Sequence, residues 1–396
     1  MNMENNTNNN RTPSLRFSGF EGDWEVKKLG EIADKCTSRN KDKTVTRVLT
    51  NSATDGVVDQ NAYFERDIAV KENTDNYHIV DVDDFVYNPR ISVSAPVGPI
   101  SRNKIGRGIM SPLYSVFHFK SENVDYLEHF FNTTIWHKYL KEVANYGARF
   151  DRMAISTEDF YSMPILLPSL PEQQKIAECL GSVDDLIQAE ADRLQALKDH
   201  KKGLMQQLFP QEGKTTPKLR FPGFEGEWEE KKLGEVCNSI TPPLKLQSSD
   251  YLSAGKYPVI DQSQSLICGW TNEDNGLITN VPVIIFGDHT CALKYIDFPF
   301  VQGADGVKIL SPKNGYNPQF VYQAFVSNPV KQDGYKRHFS DFKEKIYYFP
   351  NTLPEQQKIA DCLSSLDEEI SAQQRKVETL KEHKRGLMQK LFPNEQ

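Results

Sequence analysis

The chain has 396 residues, a net charge of −7 and a mean hydropathy of −0.57. Its length exceeds what one ordinary core needs and favours two or three domains, and no apolar run approaches the roughly 20 residues that span a bilayer, which excludes a transmembrane helix. The acidic balance argues against a partner held by bulk positive charge, since a phosphate backbone selects a basic footprint; such a contact has to come from local clusters or be shared with other subunits.

Residues Met1 to Arg11 are Asn-rich and lack an apolar stretch after a basic start, which predicts a disordered tail rather than a secretory signal. A first motif follows, TPSLRFSGFEGDWEVKKLGE from Thr12 to Glu31, and it returns nearly unchanged as TPKLRFPGFEGEWEEKKLGE from Thr216 to Glu235.

The first middle segment, Lys35 to Ser169, reads as mixed strand and helix. Asp84 to Asn88 and Leu113 to Phe119 have strand character, and Tyr126 to Ala144 carries apolar residues at helical spacing. Between the strands lies a Gly-, Pro- and Ser-rich stretch with Arg90, Arg102, Lys104 and Arg107, where a guanidinium can grip guanine bidentately or hold a phosphate. A solvated loop accounts for any one of these four about as well. The segment closes on a basic and aromatic run, Arg149, Phe150 and Arg152.

Leu170 to Pro210 is a helix with marked ends. Ser169 to Glu172 fits a capping box with Pro in the first turn, and Phe209-Pro210 stops it. Apolar residues from Ile176 to Leu208 step by four and three, which is a heptad seam. The whole block returns from Leu353 to Pro393, with Thr352 to Glu355 as its capping box. Only Glu190 and Lys201 in the first copy, and Gln373 and Lys384 in the second, put polar side chains on the seam. An antiparallel pairing that sets Leu194 against Leu380 places Glu190 opposite Lys384 and Lys201 opposite Gln373, so polar layers match. Each helix, of roughly 37 residues, spans about 55 Å, and the same pairing returns the C-terminus to the neighbourhood of Leu15.

After a short linker and the second copy of the first motif, the segment Ser239 to Thr352 repeats the earlier order. Val281 to Phe286 and Val307 to Leu310 read as strands and Pro318 to Ser327 as a helix. Its candidate contacts are His289 in the turn Gly287 to Thr290, then Lys294, Lys308, and Lys336, Arg337 and Lys343 around Phe339. The six cysteines form no C-x-x-C pair and no zinc spacing, and read as reduced thiols. No phosphate loop, dinucleotide fingerprint, H-E-x-x-H or nucleophile elbow occurs. The Asn/Asp-Pro-Pro-aromatic tetrapeptide of adenine methyltransferases is also absent, so the chain reads as non-catalytic.

The duplicated strings LPEQQKIA, KKLGE and GLMQ(Q/K)LF, set around dissimilar middles, resemble the specificity subunits of type I restriction systems over nearly all of Leu15 to Pro393. The resemblance implies a mixed α/β (α+β), pseudo-twofold chain. Two target-recognition domains, 12–169 and 219–352, would be separated by an antiparallel two-helix coiled coil of 170–210 and 353–393, with a linker at 211–218. It implies double-stranded DNA as ligand, with each domain reading one half of a split site. It further implies two methyltransferase subunits using S-adenosylmethionine and ATP- and Mg-dependent restriction subunits as partners, no cofactor or metal in this chain, and a cytoplasmic location. The rival reading, a coiled-coil interaction scaffold without DNA, needs only the duplicated frame.

Overall fold

The computed structural model describes residues 11–63, 74–145, 151–334 and 336–393; the expected tail up to residue 10, and Arg149 and Phe150, lie outside them. The chain forms two compact units, residues 1–189 with 377–396 and residues 190–376, and the division falls inside both long helices.

In the first unit the strands are β1 (Glu25–Lys28), β2 (Ala33–Lys35), β3 (Leu49–Ser52), β4 (Gly56–Asp59), β5 (His78–Val80), β6 (Phe85–Tyr87), β7 (Ile100–Arg102), β8 (Gly108–Met110), β9 (Ser115–Phe119) and β10 (Pro164–Leu167). An antiparallel sheet runs β2-β9-β6-β7. The hairpin β3-β4 and the pair β5-β8 are joined by a parallel bridge between Val48 and Ile109, giving the order β4-β3-β8-β5. The aromatic side chains of β6 and β9 build the core: the Phe85 and Phe119 rings meet edge to face at 4.9 Å, and Phe117 and Phe131 close around them. Such a pair adds about 0.5–1.5 kcal/mol beyond area burial. The single helix expected over 126–144 is two, Val124–Phe131 and His137–Val143. The break has a local cause, because the Thr133 hydroxyl donates to the Phe130 carbonyl at 2.7 Å and competes with the helical ladder.

In the second unit the strands are β11 (Glu229–Lys232), β12 (Cys237–Ile240), β13 (Tyr257–Ile260), β14 (Gly269–Thr271), β15 (Leu277–Ile278), β16 (Val283–Gly287), β17 (Leu293–Ile296), β18 (Phe300–Gln302), β19 (Val307–Pro312) and β20 (Ile346–Phe349). They form the sheets β12-β19-β16-β17 and β14-β13-β18-β15, with β13 and β18 parallel. Strand for strand this is the order of the first unit, so the two dissimilar middles share one topology. The residues of β16 are buried throughout, which is why it reads as an unbroken apolar run. Pro318–Ser327 is the expected helix, its first turn capped by Asn317.

The duplicated motifs are the joints of this frame. Arg16 donates through Nε and Nη2 to both oxygens of Glu172 at 2.8 Å, and Arg220 grips Glu355 with the same geometry. The two acids expected to close capping boxes are engaged here instead, since a bidentate charge-assisted pair is roughly twice as strong as a neutral hydrogen bond. The following glutamines are also structural. Gln173 Oε1 and Gln174 Oε1 accept from the backbone and side-chain amides of Asn123, as Gln356 and Gln357 do from Asn317. Each asparagine in turn caps the next helix. Trp24 packs edge-on against Phe392 and Tyr126, and Trp228 against Phe209 and Phe320. Leu219 N donates to the Gln207 carbonyl and Leu15 N to the Lys390 carbonyl, both at 2.9 Å. The second helix therefore ends beside Leu15 as expected.

The long helices run Leu170–Leu208 and Leu353–Leu391. In the second unit Gln373 donates to Glu190 Oε2 at 2.6 Å and Lys376 to Oε1 at 2.5 Å, while Lys201 reaches Asp367 at 2.5 Å, an antiparallel sequence of contacts. In the first unit Lys384 holds both oxygens of Asp184, at 2.6 and 2.7 Å. This corrects the expected register: Glu190 faces Gln373 rather than Lys384, and Lys201 reaches Asp367 rather than Gln373, a slide of about two to three helical turns. Apolar seam layers are nearly interchangeable, so polar contacts decide, and in this register each seam lysine finds an aspartate.

Glu190 and Gln373 are the same position of the two repeat copies, 183 residues apart. Gln373's amide and the Lys376 ammonium hold the Glu190 carboxyl below its ordinary value of 4.5. A depressed folded-state pKa contributes stability that is present above 4.5 and is lost as pH falls through the lowered value. Gln373→Glu sets two carboxylates face to face. Its melting temperature is expected to fall below that of the unaltered chain at pH 7, with the gap closing as acid protonates the pair; a gap that does not change with pH would show that the two residues do not meet.

Candidate nucleic-acid interface

In the first unit, the turn after β6 carries Asn88, Pro89 and Arg90. Arg90 is exposed, and its backbone bridges antiparallel to that of Arg152, so both guanidinium side chains arise at one place. They line a cavity of 570 Å³ together with Tyr77, Tyr114 and Asn51, a size within the range of ligand sites. Arg102 does not join them. Its side chain is 11% exposed and is surrounded by Asp83, Asp125 and Glu128, which ties β7 to the helix Val124–Phe131. Arg102 is therefore not the free surface cation expected there, since its guanidinium is already matched by three carboxylates. Lys104 pairs with Glu128 at 2.7 Å and Arg107 with Asp81 at 3.4 Å. Both side chains are well exposed, and exposed pairs of this kind contribute only about 0–1 kcal/mol, so they can exchange partners.

In the second unit the correction falls on Lys294, which is 5% exposed. Its Nζ donates to the Asp261 carbonyl at 2.7 Å, and burial pushes its ammonium below the usual lysine range. Its ammonium is not presented at the surface as the expected contact requires. Lys308, Lys336, Arg337 and Lys343 gather around the helix Phe339–Glu344. The ammonium groups of Lys308 and Lys343 lie 5.2 and 4.8 Å from the Phe339 ring centroid, so this ring is bracketed by cations. Lys308 is also 3.8 Å from Asp288, and Lys336 is 3.3 Å from Asp333. Arg337 is exposed and makes no hydrogen bond or ion pair among the described residues. His289 donates its backbone N–H to Gln262 Oε1 and accepts at its carbonyl from Gln332.

Sequence reasoning missed the residues that hold these faces rigid. Asp288, 2% exposed, accepts at its carboxylate from Phe339 N at 2.9 Å and at its carbonyl from His338 N at 2.8 Å. Gln262 links the turns at His289 and Asp305. Arg16 and Arg220 were visible as identical letters in the repeated motif, but nothing local shows which acid each would grip. Among the described residues no group of three or more His, Cys, Asp or Glu side chains could hold a metal ion, and no helix is long and apolar enough to cross a membrane.

An almost unchanged frame carrying two domains of one topology and different surface chemistry defines a class, the duplicated scaffold with variable heads. The chain belongs to the family of the type I restriction modification DNA specificity domain, whose model matches residues 21–199 and 225–382. It is 24% identical over 422 residues to the putative type I restriction enzyme MjaX specificity subunit of Methanocaldococcus jannaschii, covering 93% of each chain. Its fold is that of the type I restriction-modification S subunit from M. genitalium, with a TM-score of 0.60, 14% identity and coverage of 97% of this chain and 100% of that one. A chain from a structural study of complex assembly and conformational transition of the type I R-M system superposes with a TM-score of 0.54 at 15% identity, covering 95% and 99%.

Proposed function

We propose that the chain is the non-catalytic DNA-reading subunit of a type I restriction and modification complex, recognising a bipartite site in double-stranded DNA with one half per target-recognition domain. The observation that carries this reading is the pairing of identical topology with different surfaces. A frame copied down to its Arg–Glu clamps holds Arg90 and Arg152 in one domain and Lys308, Lys336, Arg337 and Lys343 in the other. The repeated frame suits two copies of a methyltransferase subunit, with restriction subunits beyond them in the cytoplasm. S-adenosylmethionine, ATP and Mg belong to those partners, which also neutralise phosphates that this acidic chain cannot.

Co-expression with a methyltransferase partner, followed by genome-wide mapping of methylated adenines, tests the reading. Exchanging Lys35 to Ser169 for the corresponding segment of another family member is expected to change one half of the methylated sequence and leave the other intact. An unchanged sequence after that exchange, or a stable lone protein without salt-sensitive DNA affinity, would favour the scaffold reading.

A further inference from the structure

The shared topology puts one loop of each domain in the same place: β3–β4 in the first, residues 53–55, and β13–β14 in the second, residues 261–268. The end of β3 just before the first loop, and the start of the second loop, are each fastened from the turn that follows the matching central strand. Asn88 Nδ2, after β6, donates to the Asn51 carbonyl at 2.9 Å, and Thr290 Oγ1, after β16, donates to the Gln262 carbonyl at 2.6 Å. Those same turns carry Arg90 and His289. The loops therefore sit beside basic residues in both domains, yet differ in length and in every exposed side chain.

The second loop is also held from below. Lys294 Nζ binds the Asp261 carbonyl, Ser263 N donates to Asp261 Oδ1 at 2.8 Å, and the neighbouring turns have no spare room. A Cβ on Gly287 would lie 2.2 Å from Thr290 Oγ1, and one on Gly306 would lie 2.8 Å from Gln262 Oε1. Above this base Gln264, Ser265, Leu266 and Ile267 are exposed, Leu266 at 48%. In the first loop Thr54 and Asp55 are exposed, and Asp55 is oriented by the hydroxyls of Thr54, Ser52 and Tyr63. Exposed side chains on immobilised backbone are what base reading needs.

We propose that these two loops read the bases, through Thr54 and Asp55 in one half-site and Gln264 and Leu266 in the other, while the adjoining Arg90 and Arg152, and Lys308, Lys336, Arg337 and Lys343, hold phosphates. This rests on the reading of the chain as a specificity subunit. The chemistry divides accordingly: an amide matches the adenine N6/N7 edge, a carboxylate accepts from cytosine N4, and an apolar side chain meets the thymine methyl. Lysine and arginine on phosphates set register without carrying sequence.

The test is selection from DNA randomised over both half-sites, using the chain assembled with its methyltransferase partner. Gln264→Ala with Leu266→Ala is expected to reduce base preference roughly 10- to 100-fold at one or two positions of a single half-site. Asp55→Ala is expected to do the same in the other half only, and the half still read in each variant shows that the chain is folded. Arg337→Ala with Lys343→Ala is expected to weaken binding to all sequences alike and to lower the salt slope by about two. The proposal is overturned if the loop variants select the unaltered sequence, or if the Arg337 and Lys343 pair changes it. If the unaltered chain selects no sequence, the specificity reading falls, and the loop assignment with it.

Discussion

Arg220→Ala is expected to destabilise the second unit by about 3–5 kcal/mol, the range found when one partner of a buried ion pair is removed. Glu355 has a side chain only 3% exposed, and both its oxygens are bound by Arg220, one of them also 3.3 Å from Trp228 Nε1. Removing the guanidinium leaves both oxygens of a nearly buried carboxylate without their charged partner. Arg220→Lys is not expected to rescue it, because an ammonium is a point donor that cannot span two oxygens. Arg16→Ala carries the same expectation for the first unit through Glu172. Urea denaturation followed by tryptophan fluorescence reads both, and a loss under about 1 kcal/mol, the value of an exposed pair, would mean that water replaces the arginine.

Gly98→Ala is expected to cost about 2–5 kcal/mol, the sum of a left-handed backbone penalty and overpacking. Gly98 has φ +79°, and a Cβ there would lie 2.1 Å from the Asn88 carbonyl oxygen, a backbone atom that no rotamer change can move. Asn88 binds the end of β3 beside the β3–β4 loop and precedes Arg90 by two. The variant therefore loosens the first recognition face while the second keeps its stability. Hydrogen exchange is expected to rise in peptides covering β6 and β7 and to stay unchanged across β16 and β17. Gly315→Ala is the control: its φ is +92° but nothing lies within 4 Å of the added carbon, so only the smaller backbone penalty applies. Equal effects at the two positions would show that the Asn88 contact is not tight.

Much of the frame was legible from letters alone. The helix Leu170–Leu208 starts and ends where the repeat, the proline and the seam place it, because these signals are local to the chain and occur twice. The register of the helix pair was not legible. Leucine layers repeat every heptad and fit in several alignments, and the deciding contacts involve Asp184 and Asp367, which lie off the seam. The candidate contacts fared unevenly for the same reason. Arg90 and Lys294 are both lone basic letters in their segments, yet one is exposed in the turn after β6 and the other lies in β17, buried against Asp261.

By itself the order of residues determined the duplication, the two long helices and their boundaries, the mixed strand and helix character of the middles and, through the repeated strings, the family. These follow from periodicity and identity, which are properties of neighbours along the chain. Only the tertiary structure decided that the unlike middles share one strand order, that Arg16 and Arg220 clamp Glu172 and Glu355, and which basic side chains remain at a surface. Burial, desolvation and ion pairing depend on segments far apart in the chain meeting within a few ångströms, and no local pattern records which segments those are.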